Sequence, residues 1–292
     1  MQAAQRMEDL QITERTIDLE NVFREKSPGI ARFIPGFVFS YLRRVTHEAE
    51  INDFLYRNKQ LVGLPFVANL IKEFGANLQV EGVENIPKTG RNIIASNHPL
   101  GGLDGVALMH VVGQRRPDIV FPVNDILLYL PNLKPLFIPV NKHGSNTENL
   151  QIIHQTFESE KLMLYFPAGL VSRRQNGKIE DLEWKTTFIS KAKKYKRDVI
   201  PTFVDGRNSG FFYSLANLRK RLNIGANIEM LYLPDEMFKQ KNKTIRIIFG
   251  EPIPWETFDK RYNFGQWAQK IKSYVYAMGN GLREPFNPEK EY

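Results

Sequence analysis

From Leu78 onward, short apolar runs alternate with stretches of helical periodicity, and this alternation constrains the fold more than any other feature of the chain. The runs are Leu78 to Val80, Asn92 to Ala95, Ile119 to Val123, Leu136 to Val140, Leu162 to Phe166 and Val199 to Val204. Helical patterns fill the intervals at Asp104 to Val112, where Gly113 offers a stop, at Asn146 to Glu160 and at Trp184 to Tyr195. Such repetition calls for an α/β domain whose central sheet is mostly parallel or mixed and is flanked by helices. Further strands are expected at Ala226 to Leu233 and Thr244 to Phe249, a closing helix at Phe264 to Met278, and a Pro- and Glu-rich tail after it. In a sheet of this kind the reactive loops gather where strands end.

Ahead of this pattern, Ile30, Phe33, Ile34, Phe37, Val38, Tyr41, Leu42 and Val45 follow a helical rhythm that Pro35 can kink, with Arg32, Arg43 and Arg44 beside them. A second amphipathic run, Leu64, Val67, Leu70, Ile71 and Phe74, stops at Gly75. We divide the chain into an N-terminal helical segment, residues 1–75, and an α/β domain, residues 76–292. The same periodicity serves two purposes: an interfacial anchor with arginines on anionic headgroups, or helices packed against the domain.

Composition narrows the chemistry. The 292 residues contain no cysteine, which excludes disulfides, thiolate metal sites and a cysteine nucleophile. Lys and Arg outnumber Asp and Glu by 40 to 32, a net charge of +8 that suits an anionic membrane, a phosphate-bearing substrate, an acidic carrier or nucleic acid. No nucleic-acid-binding motif accompanies the charge, so no nucleic-acid partner is expected. Met1 to Lys26 carry both charge signs, unlike a secretory signal, and no run reaches the roughly 18 to 20 apolar residues that span a bilayer. His47, His98, His110, His143 and His154 lack compact ligand spacing, so no metal is expected. Neither a phosphate-binding Gly-rich loop ending in Gly-Lys-Ser/Thr nor a dinucleotide-binding Gly-x-Gly-x-x-Gly is present.

The stretch Ser96-Asn97-His98-Pro99-Leu100-Gly101-Gly102-Leu103-Asp104 joins an expected strand to an expected helix. Imidazole titrates near neutrality and can take a proton from a hydroxyl, while a carboxylate behind it fixes the tautomer and stabilises the imidazolium. His98 and Asp104 are candidates for those roles; equally, the histidine suits a turn and the aspartate a helix cap. Three other strand exits are rich in glycine, polar or cationic residues: Phe166-Pro167-Ala168-Gly169-Leu170-Val171-Ser172-Arg173-Arg174, Leu136 to Lys142, and Ile200 to Ser209. A glycine turn followed by guanidinium groups presents donors to an anion.

Together these blocks, spread over about residues 76 to 210, resemble the glycerolipid and lysophospholipid acyltransferase family. The signature there is an Asn-His block with a following Asp, a Phe-Ile-x-Arg-like block, a Phe-Pro-x-Gly block and a hydrophobic-Pro block. Asn97-His98-Pro99 to Gly105, Phe166-Pro167-Ala168-Gly169 and Gly206-Arg207-Asn208-Ser209 resemble its hemolysin-like branch, which includes O-acyltransferases that finish ornithine and glycine lipids.

The resemblance implies that His98, held by Asp104, deprotonates the hydroxyl of a mono-acylated lipid, which attacks the thioester of acyl carrier protein or coenzyme A. No bound cofactor is implied; the acyl thioester is a co-substrate. Asn97, Gly101, Gly102, Asn141, Lys142, Phe166, Pro167, Gly169, Arg173 and Arg174 become the expected substrate-binding residues, with the turn and Lys142 on the acceptor's anionic headgroup. The implied setting is peripheral, on the cytoplasmic side of an anionic membrane. Five residues, not the usual four, separate His98 from Asp104; Ala168 replaces a Glu, Leu170-Val171 replaces Thr-Arg, and Asn141-Lys142 stands near the usual Asp-Arg. Loss of the bidentate arginine turns the expectation from lysophosphatidic acid toward an amino-acid lipid bearing a carboxylate. The competing readings are a non-catalytic lipid-binding module of the same fold and a serine hydrolase. For the latter, Ser209 in Gly206-Arg207-Asn208-Ser209-Gly210 stands one place late.

Overall fold

The computed structural model describes residues 15–26, 28–123, 125–139 and 147–292. The strands are β1 (Asn77–Glu81), β2 (Asn92–Ser96), β3 (Ile119–Val123), β4 (Phe137–Pro139), β5 (Leu162–Tyr165), β6 (Arg173–Gln175), β7 (Lys178–Glu180), β8 (Asp198–Val204) and β9 (Thr244–Phe249). Seven of them form one sheet in the order β1-β9-β8-β2-β5-β3-β4, and β6 pairs with β7 in a separate antiparallel hairpin. All neighbours in the large sheet are parallel except β8 and β9. The expected α/β architecture with a mostly parallel sheet is therefore the one observed.

Period-two alternation divides the core into two layers. Ile94, Leu162, Leu164 and Ile200 point to one face, while Ile93, Ala95, Met163 and Val199 point to the other. On the first face lie α3 (Glu48–Arg57), α4 (Leu64–Phe74) and α5 (Gly102–Arg115); on the second lie α7 (Thr187–Tyr195) and α10 (Phe264–Gly279). The remaining helices are α1 (Leu19–Lys26), α2 (Gly36–Val45), α6 (Thr147–Glu158), α8 (Gly210–Arg221) and α9 (Leu233–Phe238), with a single turn at Pro28–Ala31.

The N-terminal segment divides between its two readings. Phe54, Leu55, Phe66, Val67, Ile71 and Phe74 are buried in the same cluster as the sheet. At about 1.5–3 kcal/mol per buried large side chain, α3 and α4 are part of the fold. The Ile30 to Val45 run is not one helix: a single turn ends at Ala31, and Pro35, extended at ψ 150°, stands before α2, which starts at Gly36. Phe33 and Phe37 there stay 72% and 75% exposed.

Several expected boundaries are corrected. Gly113 does not end α5, which runs on to Arg115; a Cβ there would lie 2.4 Å from Leu64 Cδ2, so this glycine lets α4 approach. Trp184 precedes α7 and is held in a loop by its indole N–H on Asp181 at 2.8 Å. Ala226 to Leu233 is not a strand but a 3₁₀ turn, Ile228–Tyr232, followed by α9. Here Glu229 is drawn inward onto Arg173 at 2.8 Å and Arg219 at 2.9 Å, which overrides the apolar pattern. Nor is the C-terminal stretch a free tail, since Phe286 and Tyr292 pack on the ring of Tyr274 at 5.3 and 5.0 Å.

Candidate active site

Strands β8, β2, β5, β3 and β4 are adjacent and parallel, so their C-terminal ends open on one edge. His98 follows β2, Phe166 follows β5, and the Asp205 to Ser209 loop follows β8. Asn141 and Lys142, expected beyond β4, lie outside the described residues.

The imidazole Nδ1 of His98 lies 3.0 Å from Oδ1 and 3.1 Å from Oδ2 of Asp104. Asp104 is fully buried in the first turn of α5, where its oxygens also accept the N–H groups of Leu100 and Gly105, each at 2.8 Å. An ionised carboxylate only accepts, so it selects the tautomer with hydrogen on Nδ1 and leaves the Nε2 lone pair as the proton acceptor. His98 keeps 17% side-chain exposure, which leaves the ring an open side. One face of the ring is covered by Phe166, centroid to centroid 3.9 Å with planes 17° apart. Phe166 in turn meets Phe121 edge-on at 5.2 Å.

Five residues between His98 and Asp104 fit because Gly101 takes φ +80°, ψ −121°, a region closed to residues with a Cβ. A Cβ on Gly101 would also stand 3.1 Å from Leu233, and one on Gly102 3.2 Å from the sulfur of Met237, so α9 lies directly over the start of α5.

A second buried carboxylate, Asp181, holds the loop from behind. Its Oδ1 accepts the backbone N–H of His98 at 3.1 Å and the Ser172 hydroxyl at 2.6 Å, while Oδ2 accepts Trp184. The Ser172 N–H closes the arrangement on His98 O at 2.8 Å. Burial raises the Asp181 carboxyl above its ordinary range, and burial with the nearby Asp181 charge raises the Tyr276 phenol that receives the Asp181 backbone N–H. Sequence reasoning missed Asp181, which sits in an unremarkable acidic stretch with no motif to mark it.

Other expected site residues divide by position. Asn97 is buried and its amide bridges to Val204 in both directions, at 2.8 and 2.7 Å, tying β2 to β8. Pro167 and Gly169 shape the turn after Phe166, with Gly169 N–H on Phe166 O and Lys185 N–H on Pro167 O. Arg173 is buried and its guanidinium is spent on Glu229 and on the carbonyl of Val171, so it is not presented to solvent. Arg174 is exposed, over the Tyr213 ring at 5.4 Å. Ser209 caps α8, accepting Phe212 N–H at 3.2 Å and donating its hydroxyl to Glu236 at 2.6 Å. Its partner is a carboxylate, without the imidazole that a hydrolase nucleophile needs. Among the described residues, no group of three or more His, Asp or Glu is placed to hold a metal ion.

A family model described as Acyltransferase matches residues 21–282. The chain belongs to this acyltransferase family. The acyltransferase is 48% identical over 264 residues to a lyso-glycine lipid O-acyltransferase of Bacteroides thetaiotaomicron, covering 90% of this chain and 97% of that protein. It is 45% identical over 264 residues to a protein of the same description from Phocaeicola vulgatus, covering 90% and 95%. Among solved structures, it is similar to the 1-acyl-sn-glycerophosphate (LPA) acyltransferase PlsC of Thermotoga maritima, with TM-score 0.47 and 17% identity over 85% of this chain and 95% of that one.

Proposed function

We propose that this acyltransferase moves a fatty acyl group from an acyl thioester, carried on acyl carrier protein or coenzyme A, to the hydroxyl of a mono-acylated amino-acid lipid of the lyso-glycine type. The observation that carries the mechanism is the hydrogen-bond distance between His98 Nδ1 and the buried Asp104 carboxylate. Nε2 takes the acceptor's hydroxyl proton as the oxygen forms its bond to the thioester carbonyl. Collapse of the tetrahedral intermediate breaks the C–S bond, and the imidazolium returns the proton to the departing thiolate. Asp104 stabilises the imidazolium between these steps. Names of relatives at 45–48% identity support the acceptor class.

The enzyme acts at the cytoplasmic face of the membrane as a peripheral protein. Support comes from the exposed Phe33 and Phe37, with the Arg32 guanidinium 4.6 Å over the Phe33 ring, a pairing suited to an anionic lipid surface. No helix among the described residues is long and apolar enough to cross a membrane.

Lipid mass spectrometry tests the reading. Cells producing wild type should convert the mono-acylated lipid to its di-acylated form, and cells producing folded His98→Ala at the same level should accumulate the precursor. Identical lipids from both, with precursor and donor present, would remove the general-base role.

A further inference from the structure

A cleft of about 380 Å³ lies beside the catalytic loop, lined by Arg174, Arg207, Asn208, Glu236, Lys239 and Lys243 among others. It shares two walls with that loop. Gly206, next to Arg207, packs so tightly on Leu100 that a Cβ would lie 2.7 Å from its side chain. On the other wall, Met237 of α9 covers Gly102 while its neighbours Glu236 and Lys239 face the cleft.

The charges inside are unevenly matched. Glu236 is fully buried and already neutralised: it accepts the N–H and hydroxyl of Ser209, and Lys239 Nζ lies 2.8 Å away. Lys239 is also shared with Asp235 at 2.7 Å. Among the described residues, Arg174, Arg207 and Lys243 have no carboxylate partner within ion-pair distance, and all three are exposed. In the same lining Asn208 is only 4% exposed, yet neither its Oδ1 nor its Nδ2 has a hydrogen-bond partner. A buried, unpaired carboxamide costs about 1–3 kcal/mol unless something else satisfies it. The first turn of α8, which starts at Gly210 beside Asn208, adds the partial positive charge of a 12-residue helix.

We propose that this cleft is an oxyanion-binding subsite of the enzyme, taking the anionic end of one of its two substrates on Arg174, Arg207, Lys243 and the Asn208 amide. The proposal rests on the acyl-transfer reading for its role in turnover and on this geometry for the binding itself. A carboxylate headgroup on the acceptor and a phosphate on the thioester donor share the required chemistry.

The test uses the full-length protein and the variants Arg207→Ala, Lys243→Ala and Asn208→Leu, with melting curves as folding controls. Calorimetry with N-acetylglycine and with inorganic phosphate reads binding without turnover; KM for each substrate reads it during turnover. Removing either cation should raise the KM of one substrate roughly tenfold or more, with kcat affected less. A shift confined to the acceptor identifies the headgroup carboxylate, and one confined to the donor identifies its phosphate. If all three variants keep both KM values within about twofold while His98→Ala abolishes turnover, the subsite is wrong and acyl transfer stands. If wild type binds the small anions, Arg207→Ala does not, and no acyl transfer is found, the subsite stands and the functional reading falls.

Discussion

The backbone N–H of His98 donates to Oδ1 of Asp181 at 3.1 Å, across 83 residues of chain. Asp104 therefore holds the imidazole while Asp181 holds the main chain beneath it, and the second carboxylate is a positioning residue. Lys272 Nζ and the Tyr276 hydroxyl, both on α10, fasten the Asp181 backbone at 2.7 Å each. The closing helix thereby reaches the active-site loop.

Asp181 should make stability depend on pH. A carboxyl whose pKa is raised by burial supports the fold fully only below its ordinary value of 3.8, and that support is lost as pH rises through the raised value. Asp181→Asn should accordingly gain on wild type from about pH 4 toward neutrality in parallel urea titrations. A gap between the two that is constant over this range would show that the carboxyl is not perturbed. Because the amide cannot accept from Ser172, Trp184 and His98 together, kcat should still fall, by about tenfold.

Asp104→Asn should leave the chain folded but turn the imidazole over. An amide N–H facing Nδ1 favours the tautomer with hydrogen on Nε2, which cannot accept the hydroxyl proton. We expect kcat to drop about 10²- to 10⁴-fold with a smaller change in acceptor KM. Steady-state assays at matched folded fraction check it; an unchanged kcat would mean that Nε2 is not the base.

Glu229 is fully buried between Arg173 and Arg219. Its replacement by Gln leaves two guanidinium groups without their carboxylate, which should cost about 3–5 kcal/mol. Chemical denaturation provides the number, and a loss below about 1 kcal/mol would show that the pair is solvated in practice.

Gly206→Ala should strain the contact between the loop after β8 and Leu100, where the added carbon would meet three side-chain atoms at 2.7 to 2.9 Å. Overpacking of this kind costs about 1–3 kcal/mol. Leu100 N–H is bonded to Asp104, so the displacement should also lower kcat. The double variant Gly206→Ala/Leu100→Ala relieves the clash and should recover part of the activity; no recovery would place the effect elsewhere.

Phe33→Ser with Phe37→Ser should weaken sedimentation with anionic vesicles without lowering the melting temperature, because both rings are exposed. Deleting residues 1–75 would not make this test, since it also removes Phe54, Leu55, Phe66 and Val67 from the core. Unchanged vesicle binding by the double variant would locate the contact on another surface.

The sequence by itself determined the alternation of strands and helices and the polar, glycine-bearing strand exits; it offered His98 and Asp104 as a pair, and the structure places them 3.0 Å apart. These are short-range matters: apolar runs report buried strands, and glycine and polar residues mark where a strand gives way to a turn. It also separated the Pro35 break from the Gly75 stop, because proline and glycine act on local backbone geometry. Only the tertiary structure decided which charges are free. Arg173 and Arg174 are neighbours in the chain, yet one is buried on Glu229 and the other lines a cleft with Arg207 and Lys243. The same is true of Asp181, whose role depends on contacts with His98 and with α10 across 83 and 95 residues. Periodicity reports which residues face a core; which buried carboxylate meets which donor is settled by packing, where an unpaired polar group is costly.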